Sequence, residues 1–357
     1  MKNYVEGIKP LDQKAMEIAK KYHDTLIKPP QSLGRLEEIA IQIAGITGRV
    51  KNKTDKKIHF VLGADNGIYE EGVASAPQNF TNLLLDYYAS GQNCGINVLC
   101  KSAGVDLKAV DMGVIGKIEN PNLFDYKLMD GTNNFAKVPA MTRETAEKAI
   151  EVGIELAKYA YENGYQIIGT GEVGIGNTSS SSACIMAALC VGADEAVGRG
   201  AGLSDEGFSH KKQVISDATK MHKPNSDDVV DILSKVGGLD IAGLTGLYIG
   251  AAYFRIPIII DGFISAVAAL LAYKINPLTK EYMIPSHISE EPGYKKIVEE
   301  MKLEPILNLK MRLGEGTGCP LAMQIVDASL DVINEMLSFN ASVLDEVTYK
   351  NNISGQA

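Results

Sequence analysis

Short apolar runs, closing on small or acidic residues, alternate along this chain with longer stretches of helical spacing, and that alternation constrains the fold most. The runs are residues 57–63 (Lys-Ile-His-Phe-Val-Leu-Gly), 107–112, 166–169 and 256–261, with helical segments between them at 81–102, 142–163, 180–191 and 243–253. Strands separated by helices return to the sheet through right-handed crossovers, so the pattern predicts βαβ units and a mostly parallel sheet. In such sheets ligands sit beyond the carboxyl ends of the strands. Three of those ends are polar and rich in glycine: Gly63-Ala-Asp-Asn-Gly67, Gly169-Thr-Gly-Glu172 and Asp261-Gly262. The site is expected there.

The two ends of the chain read differently. Residues 13–48 predict two helices broken at Lys28-Pro29-Pro30, with Ser32 as the N-cap of the second and Leu36, Ile39, Ile43 and Ile46 at helical spacing behind it. Residues 320–339 are amphipathic and helical. These ends, 1–54 together with 319–357, are expected to form a small helical domain beside a large α/β domain at 55–318. Positions beyond Thr348 read as a frayed tail.

Composition excludes several functions. A net charge of -9, no Trp and 6% aromatic residues argue against a nucleic-acid partner, which needs a basic face and stacking surfaces. The apolar run 263–272 is too short to span a bilayer, and the first twenty residues hold no signal-peptide core, so no membrane partner and a cytoplasmic location are expected. Cys94, Cys100, Cys184, Cys190 and Cys319 include no C-x-x-C pair and are expected to be buried free thiols. His23, His59, His210, His222 and His287 stand apart with no metal-ligand spacing, so neither metal nor cofactor is expected.

Four stretches carry candidate chemistry. The strongest is 169–182, where a strand runs through Gly-Thr-Gly-Glu-Val-Gly-Ile-Gly into Asn177-Thr178-Ser179-Ser180 and an alanine-rich helix. Glycines let backbone approach a ligand, and a helix start offers unpaired N–H groups, so Gly174, Gly176, Asn177, Thr178, Ser179 and Ser180 suit a phosphate. The competing reading is a turn that only caps a helix. Gly169-x-Gly171-x-x-Gly174 also matches the dinucleotide fingerprint, with Asp194 downstream, which keeps an NAD-dependent oxidoreductase as the rival. It is weakened because Asp194 falls in a helix-like run. The second stretch is Leu313-Gly-Glu-Gly316, whose carboxylate is either a general base close to a ligand or a solvated turn residue. The third, from Asp65-Asn66 through Ser75 to Gln78, suits a flat apolar ring with one polar edge, or is a capped loop. The fourth, Gly198-Arg-Gly-Ala-Gly202 followed by Ser209-His-Lys-Lys212, is an anion contact or a solvated lysine pair.

Taken together, Lys28-Pro-Pro-Gln-Ser-Leu-Gly-Arg-Leu-Glu37, Gly171-Glu-Val-Gly-Ile-Gly-Asn-Thr178, Gly198-Arg-Gly-Ala-Gly202, Asp261-Gly-Phe263 and Gly314-Glu-Gly-Thr-Gly318 resemble the nicotinate-nucleotide–dimethylbenzimidazole phosphoribosyltransferase family, in the family's order. The resemblance implies a Rossmann-like, mostly parallel sheet with helices on both faces, a small helical domain from both chain ends, and a homodimer. It implies phosphoribosyl transfer from nicotinate mononucleotide to a lower-ligand base in cobamide synthesis. By motif matching it makes Glu315 the general base, with Glu172 and Lys211 in support. The donor phosphate and ribose fall to 174–180 with Gly200 and Gly202, and the acceptor ring to Asp65, Asn66, Ser75, Gln78 and Leu313. Glu172 is the carboxylate expected to stabilise positive charge on the ribose. Many relatives carry histidine where this chain has Asn66. The acceptor therefore stays open among benzimidazoles, purines and phenols, and a heterodimer with a paralogue stays open beside the homodimer.

Overall fold

The computed structural model describes residues 1–200 and 202–341, so the expected tail beyond Thr348 lies outside them. In chain order the elements are α1 (Lys2–Gly7), α2 (Gln13–Asp24), α3 (Arg35–Thr47), β1 (Lys57–Ala64), α4 (Phe80–Ala89), α5 (Gly95–Ala103), β2 (Val105–Gly113), β3 (Phe124–Asp125), α6 (Arg143–Glu162), β4 (Ile167–Val173), α7 (Asn177–Leu189), α8 (Ala193–Ala196), α9 (Asp205–His222), α10 (Val229–Val236), α11 (Leu239–Phe254), β5 (Ile258–Ile260), α12 (Phe263–Ile275), β6 (Met283–Pro285), α13 (Pro292–Met301) and α14 (Gly318–Glu335).

The strands form one sheet in the order β3-β2-β1-β4-β5-β6, and every neighbouring pair is parallel. This is the doubly wound, Rossmann-like order, which reverses between β1 and β4 and opens a crevice there at the carboxyl ends. Both faces of the sheet are covered. Every residue of β1 and of β4 is buried, and alternate β1 side chains meet different helices. Phe60 packs edge-on against Tyr159 of α6 and Leu62 lies under Gly243 of α11, while Gly63 on the other face lies under Leu85 of α4. The α6 and α11 backbones are brought together through glycine: a Cβ at Gly246 would stand 1.8 Å from the Ile150 carbonyl oxygen, and one at Gly153 would stand 1.9 Å from that of Gly243.

The chain divides into two compact units, one of Met1–Lys9 with Lys56–Ala322, the other of Pro10–Asp55 with the chain from Met323 onward. The first nine residues thus belong with the large unit and not with the small one, where the 1–54 boundary had put them. The Val5 carbonyl accepts from Asn276 Nδ2 and the Lys9 carbonyl from the Tyr282 hydroxyl. Within the small unit, Asp12 caps α2 by accepting from the Ala15 N–H at 3.0 Å. Lys28 and Glu37 form an ion pair of 2.8 Å that is almost fully buried, and the same Glu37 oxygen accepts from the Leu33 N–H. α2 has already ended at Asp24, before Lys28-Pro29-Pro30, and Lys28 anchors the start of α3.

Several expectations need correction. Ser32 does not cap α3; Gly34 at φ 49 does. The segment 81–102 is two helices, because Gly91 at φ 71 turns the chain between α4 and α5. β4 continues to Val173, so Glu172 belongs to the strand and not to the loop after it. β3, β6 and helices α1, α9, α10, α12 and α13 are not among the elements expected from the sequence. Cys190 is exposed and Cys94 only partly covered, against the expectation of five buried thiols. No helix among the described residues is long and apolar enough to cross a membrane.

Candidate active site

Beyond the carboxyl ends of β4, β5 and β6 lies a cleft of about 550 Å³, a size suited to a mononucleotide. Its polar floor comes from the strand ends, Glu172, Asp261 and His287, and its apolar wall includes Leu84, Tyr88 and Leu313. All of these residues belong to the large unit.

Glu172 points from the end of β4 into a closed environment. Its Oε2 accepts from Asn177 Nδ2, and the same amide donates to Asp240 Oδ2 at 2.9 Å. Two carboxyls therefore share one side-chain amide. Burial, then the nearby Asp240 charge, push the Glu172 carboxyl up to about 8, and burial raises Asp240 to about 6. Burial and the neighbouring Asp240 therefore favour the protonated form of Glu172 in the unliganded chain. A cation arriving in the cleft would draw that proton off.

Glu315 stands in the loop before α14. Its φ is 62, between Gly314 at 84 and Gly316 at 86, so three successive residues take the left-handed conformation that disfavours a side chain at the middle one. Its Oε2 accepts from the Ile96 N–H in the first turn of α5 at 3.1 Å, where the helix dipole favours a negative charge. The loop runs over Glu172: a Cβ at Gly314 would lie 3.1 Å from Glu172 Oε1. The buried Tyr88 hydroxyl is kept protonated by burial first and by the Glu315 charge second.

Lys211 of α9 is fully buried and donates from Nζ to Thr178 Oγ1 at 2.8 Å. Burial brings its ammonium down to about 8, opposed by the charge of Glu291. Glu291 in turn accepts from the Gly200 N–H at 3.1 Å. Lys211 is therefore no solvated lysine; the half-buried Lys212 pairs with the exposed Asp194.

The comparisons with known proteins identify the family. A family model described as phosphoribosyltransferase matches residues 8–343. A nicotinate-nucleotide–dimethylbenzimidazole phosphoribosyltransferase of Clostridium acetobutylicum is 49% identical over 96% of this chain and 97% of that protein. One of Clostridium tetani is 47% identical over 95% of this chain and 93% of its own length. The crystal structure of CobT from Thermus thermophilus superimposes with a TM-score of 0.88 at 33% identity, covering 93% of this chain and 99% of that one. The chain belongs to the nicotinate-nucleotide–dimethylbenzimidazole phosphoribosyltransferase family.

Among the residues singled out for this phosphoribosyltransferase, the fold brings Glu172, Gly174, Asn177, Thr178, Gly200, Leu313 and Glu315 to one cleft. Others lie elsewhere. Asp65 is buried and accepts from the Ile115 N–H at 2.8 Å, and Asn66 is buried and accepts from the Ser180 hydroxyl at 2.7 Å. Neither lines the cleft, so Asn66 and Ser180 brace the loop from behind. Ser75 is exposed and Gln78 half-buried, both outside the cleft wall. Gly176 at φ 95 turns the chain beside Asn66 and Ile68, Ser179 is buried in α7, and Gly202 at φ 107 borders open space, where an added Cβ would touch no atom. The loop's N–H groups are less free than expected: those of Ile175, Asn177 and Ser179 are already bound to Thr81 Oγ1 and to the Gly174 and Gly176 carbonyls. The dinucleotide fingerprint fails on geometry, since Gly169 and Gly171 lie inside β4 and Asp194 lies in α8. Tyr88, Asp240, His287 and Glu291 were missed; only Asp261, at a strand end, left a signal. Among the described residues no three His, Cys, Asp or Glu side chains are grouped to hold a metal ion.

The raised Glu172 carboxyl has a consequence for stability. Between about 4.5 in the unfolded chain and about 8 in the folded one, the folded state holds a proton that the unfolded state has lost, so stability falls as pH rises through that window. Glu172→Gln removes this group's share of the slope and leaves that of Asp240. It is expected to raise Tm on the order of 5 °C at pH 8 and not at all near pH 4.5. A thermal-unfolding series across this range checks it, and a gain independent of pH would contradict the burial argument.

Proposed function

We propose that this chain transfers 5-phosphoribose from nicotinate mononucleotide to 5,6-dimethylbenzimidazole or a related ring, giving an α-linked ribazole-type 5′-phosphate and nicotinate for cobamide assembly. The observation that carries this reading is the meeting in one cleft of the Glu315 carboxylate with Glu172 and the Gly174–Asn177–Thr178 loop. The family membership and the names of the relatives point the same way.

In this reading a ring nitrogen of the acceptor attacks the ribose C1′ as the bond from C1′ to the pyridinium nitrogen breaks. The bonding pair stays on that nitrogen, and nicotinate leaves as a neutral ring. Glu315 takes the acceptor's N–H proton. Positive charge develops on the ribose ring. Glu172, deprotonated once the cationic donor is bound, stabilises that charge. The donor phosphate lies against Gly174, Thr178 and Gly200, with the buried Lys211 ammonium as its counter-charge. Displacement from the opposite face turns a β-linked donor into an α-linked product. We also take the working form to be a homodimer in the cytoplasm, which native mass spectrometry and fractionation address.

The test is product analysis with nicotinate mononucleotide and a panel of dimethylbenzimidazole, adenine and phenol. An α-linked dimethylbenzimidazole ribotide with stoichiometric nicotinate is the expected result. Preferred turnover of adenine or phenol would move the acceptor class, and absence of nicotinate release with every acceptor would overturn the reading.

A further inference from the structure

His59 lies near the middle of β1, on the same side of the strand as Val61 and Gly63, and is fully buried. Imidazole is a costly choice there. It must be stripped of water, and its Nδ1 has no hydrogen-bond partner, whereas an aliphatic side chain would fill the space without that penalty. The other ring nitrogen, Nε2, reaches the backbone carbonyl oxygen of Glu315 at 3.3 Å. A carbonyl only accepts, so the ring carries its hydrogen on Nε2. Burial agrees, pushing the ring down to about 4 and keeping it neutral.

The chain around this contact is shaped to admit the ring. A Cβ at Gly316 would fall 2.2 Å from His59 Nε2, and one at Gly171 would fall 2.4 Å from the Glu315 carbonyl oxygen and 2.6 Å from Nε2. Both flanking glycines are needed for the approach. Glu315 itself, a non-glycine residue at φ 62, persists in that conformation only if its surroundings over-determine it. It is held at two points, its carboxylate by the Ile96 N–H and its carbonyl by His59.

We propose that His59 is a positioning residue for Glu315: by fixing the carbonyl it locks the left-handed turn and so aims the carboxylate at the acceptor's proton. This rests on the reading of Glu315 as the base. His59 touches no substrate and moves no proton, and its cost to stability is kept for the sake of that alignment.

The experiment compares His59→Leu, His59→Gln and Glu315→Gln in the nicotinate-release assay, with thermal unfolding of each. His59→Leu should melt no lower than the natural chain yet lose about 10²-fold in kcat, the scale of a small misplacement of a reacting group, with donor KM within about twofold. His59→Gln, whose amide N–H can reach the same carbonyl, should recover most of the loss. Turnover within about twofold of the natural chain in a folded His59→Leu would overturn the proposal. So would a His59→Leu that loses its cooperative transition, or a loss that His59→Gln leaves untouched, since either makes the role one of packing. Full turnover by Glu315→Gln would instead bring down the reading of the site, whatever the His59 variants do.

Discussion

Glu315→Gln is expected to keep its fold and its affinity for nicotinate mononucleotide while losing about 10²–10⁴-fold in kcat, the usual worth of general-base assistance. The amide oxygen of glutamine can still accept from the Ile96 N–H that holds Oε2 at 3.1 Å, so the loop has no reason to move. What disappears is the ability to take up a proton. The loss should shrink with acceptors acidic enough to ionise unaided, because they bring their own deprotonation to the reaction. Steady-state nicotinate release, paired with calorimetric donor binding, separates the effects. A mutant turning over at the natural rate would remove Glu315 from the chemistry, and weakened donor binding alone would recast it as a ligand contact.

Gly246→Ala is expected to destabilise the chain by at least about 4 kcal/mol, beyond ordinary overpacking, although helix propensity alone favours alanine by roughly 0.5–1 kcal/mol. The contest is decided by distance. The added methyl would sit 1.8 Å from the Ile150 carbonyl oxygen and 2.7 Å from its carbonyl carbon, so it meets backbone that cannot rotate away. α6 and α11 would have to part, and α11 is buried along its first fourteen residues. Denaturant unfolding measures the change. A loss under about 1 kcal/mol would mean that the two helices slide apart freely, contrary to the close packing of protein interiors.

How much of this was legible in the residues differs from element to element. β1, β2 and β4 announce themselves because each is a short, largely apolar stretch between helical segments, although Lys57 and His59 interrupt 57–63 and Lys108 and Asp111 interrupt 107–112. β3 and β6, with two and three residues, are too short to show any period. Glu172, Asn177, Thr178 and Glu315 could be found because glycines mark where backbone must come close or turn. Asp240 could not, because it opens an otherwise apolar helix and gains meaning only where Asn177 bridges it to Glu172. Asp65, Asn66, Ser75 and Gln78 stand outside the cleft lining for the reverse reason. A polar residue after a strand can face the crevice or turn inward to brace the loop, and linear order does not distinguish the two. Lys211 reads as half of a solvated pair until α9 turns one lysine inward and leaves Lys212 half-buried.

The pairing of β1 bears on how the chain is made. Lys57 lies beside Val105 of β2 on one side and beside Ile167 of β4 on the other, the latter roughly 110 residues further along. At the 5–20 residues per second of ribosomal synthesis, the newborn β1 waits about 5–20 s for that neighbour, with one row of main-chain N–H and C=O groups open and both its surfaces greasy. Production of this chain should therefore respond more to holding chaperones and to translation speed between codons 64 and 167 than to events near either terminus.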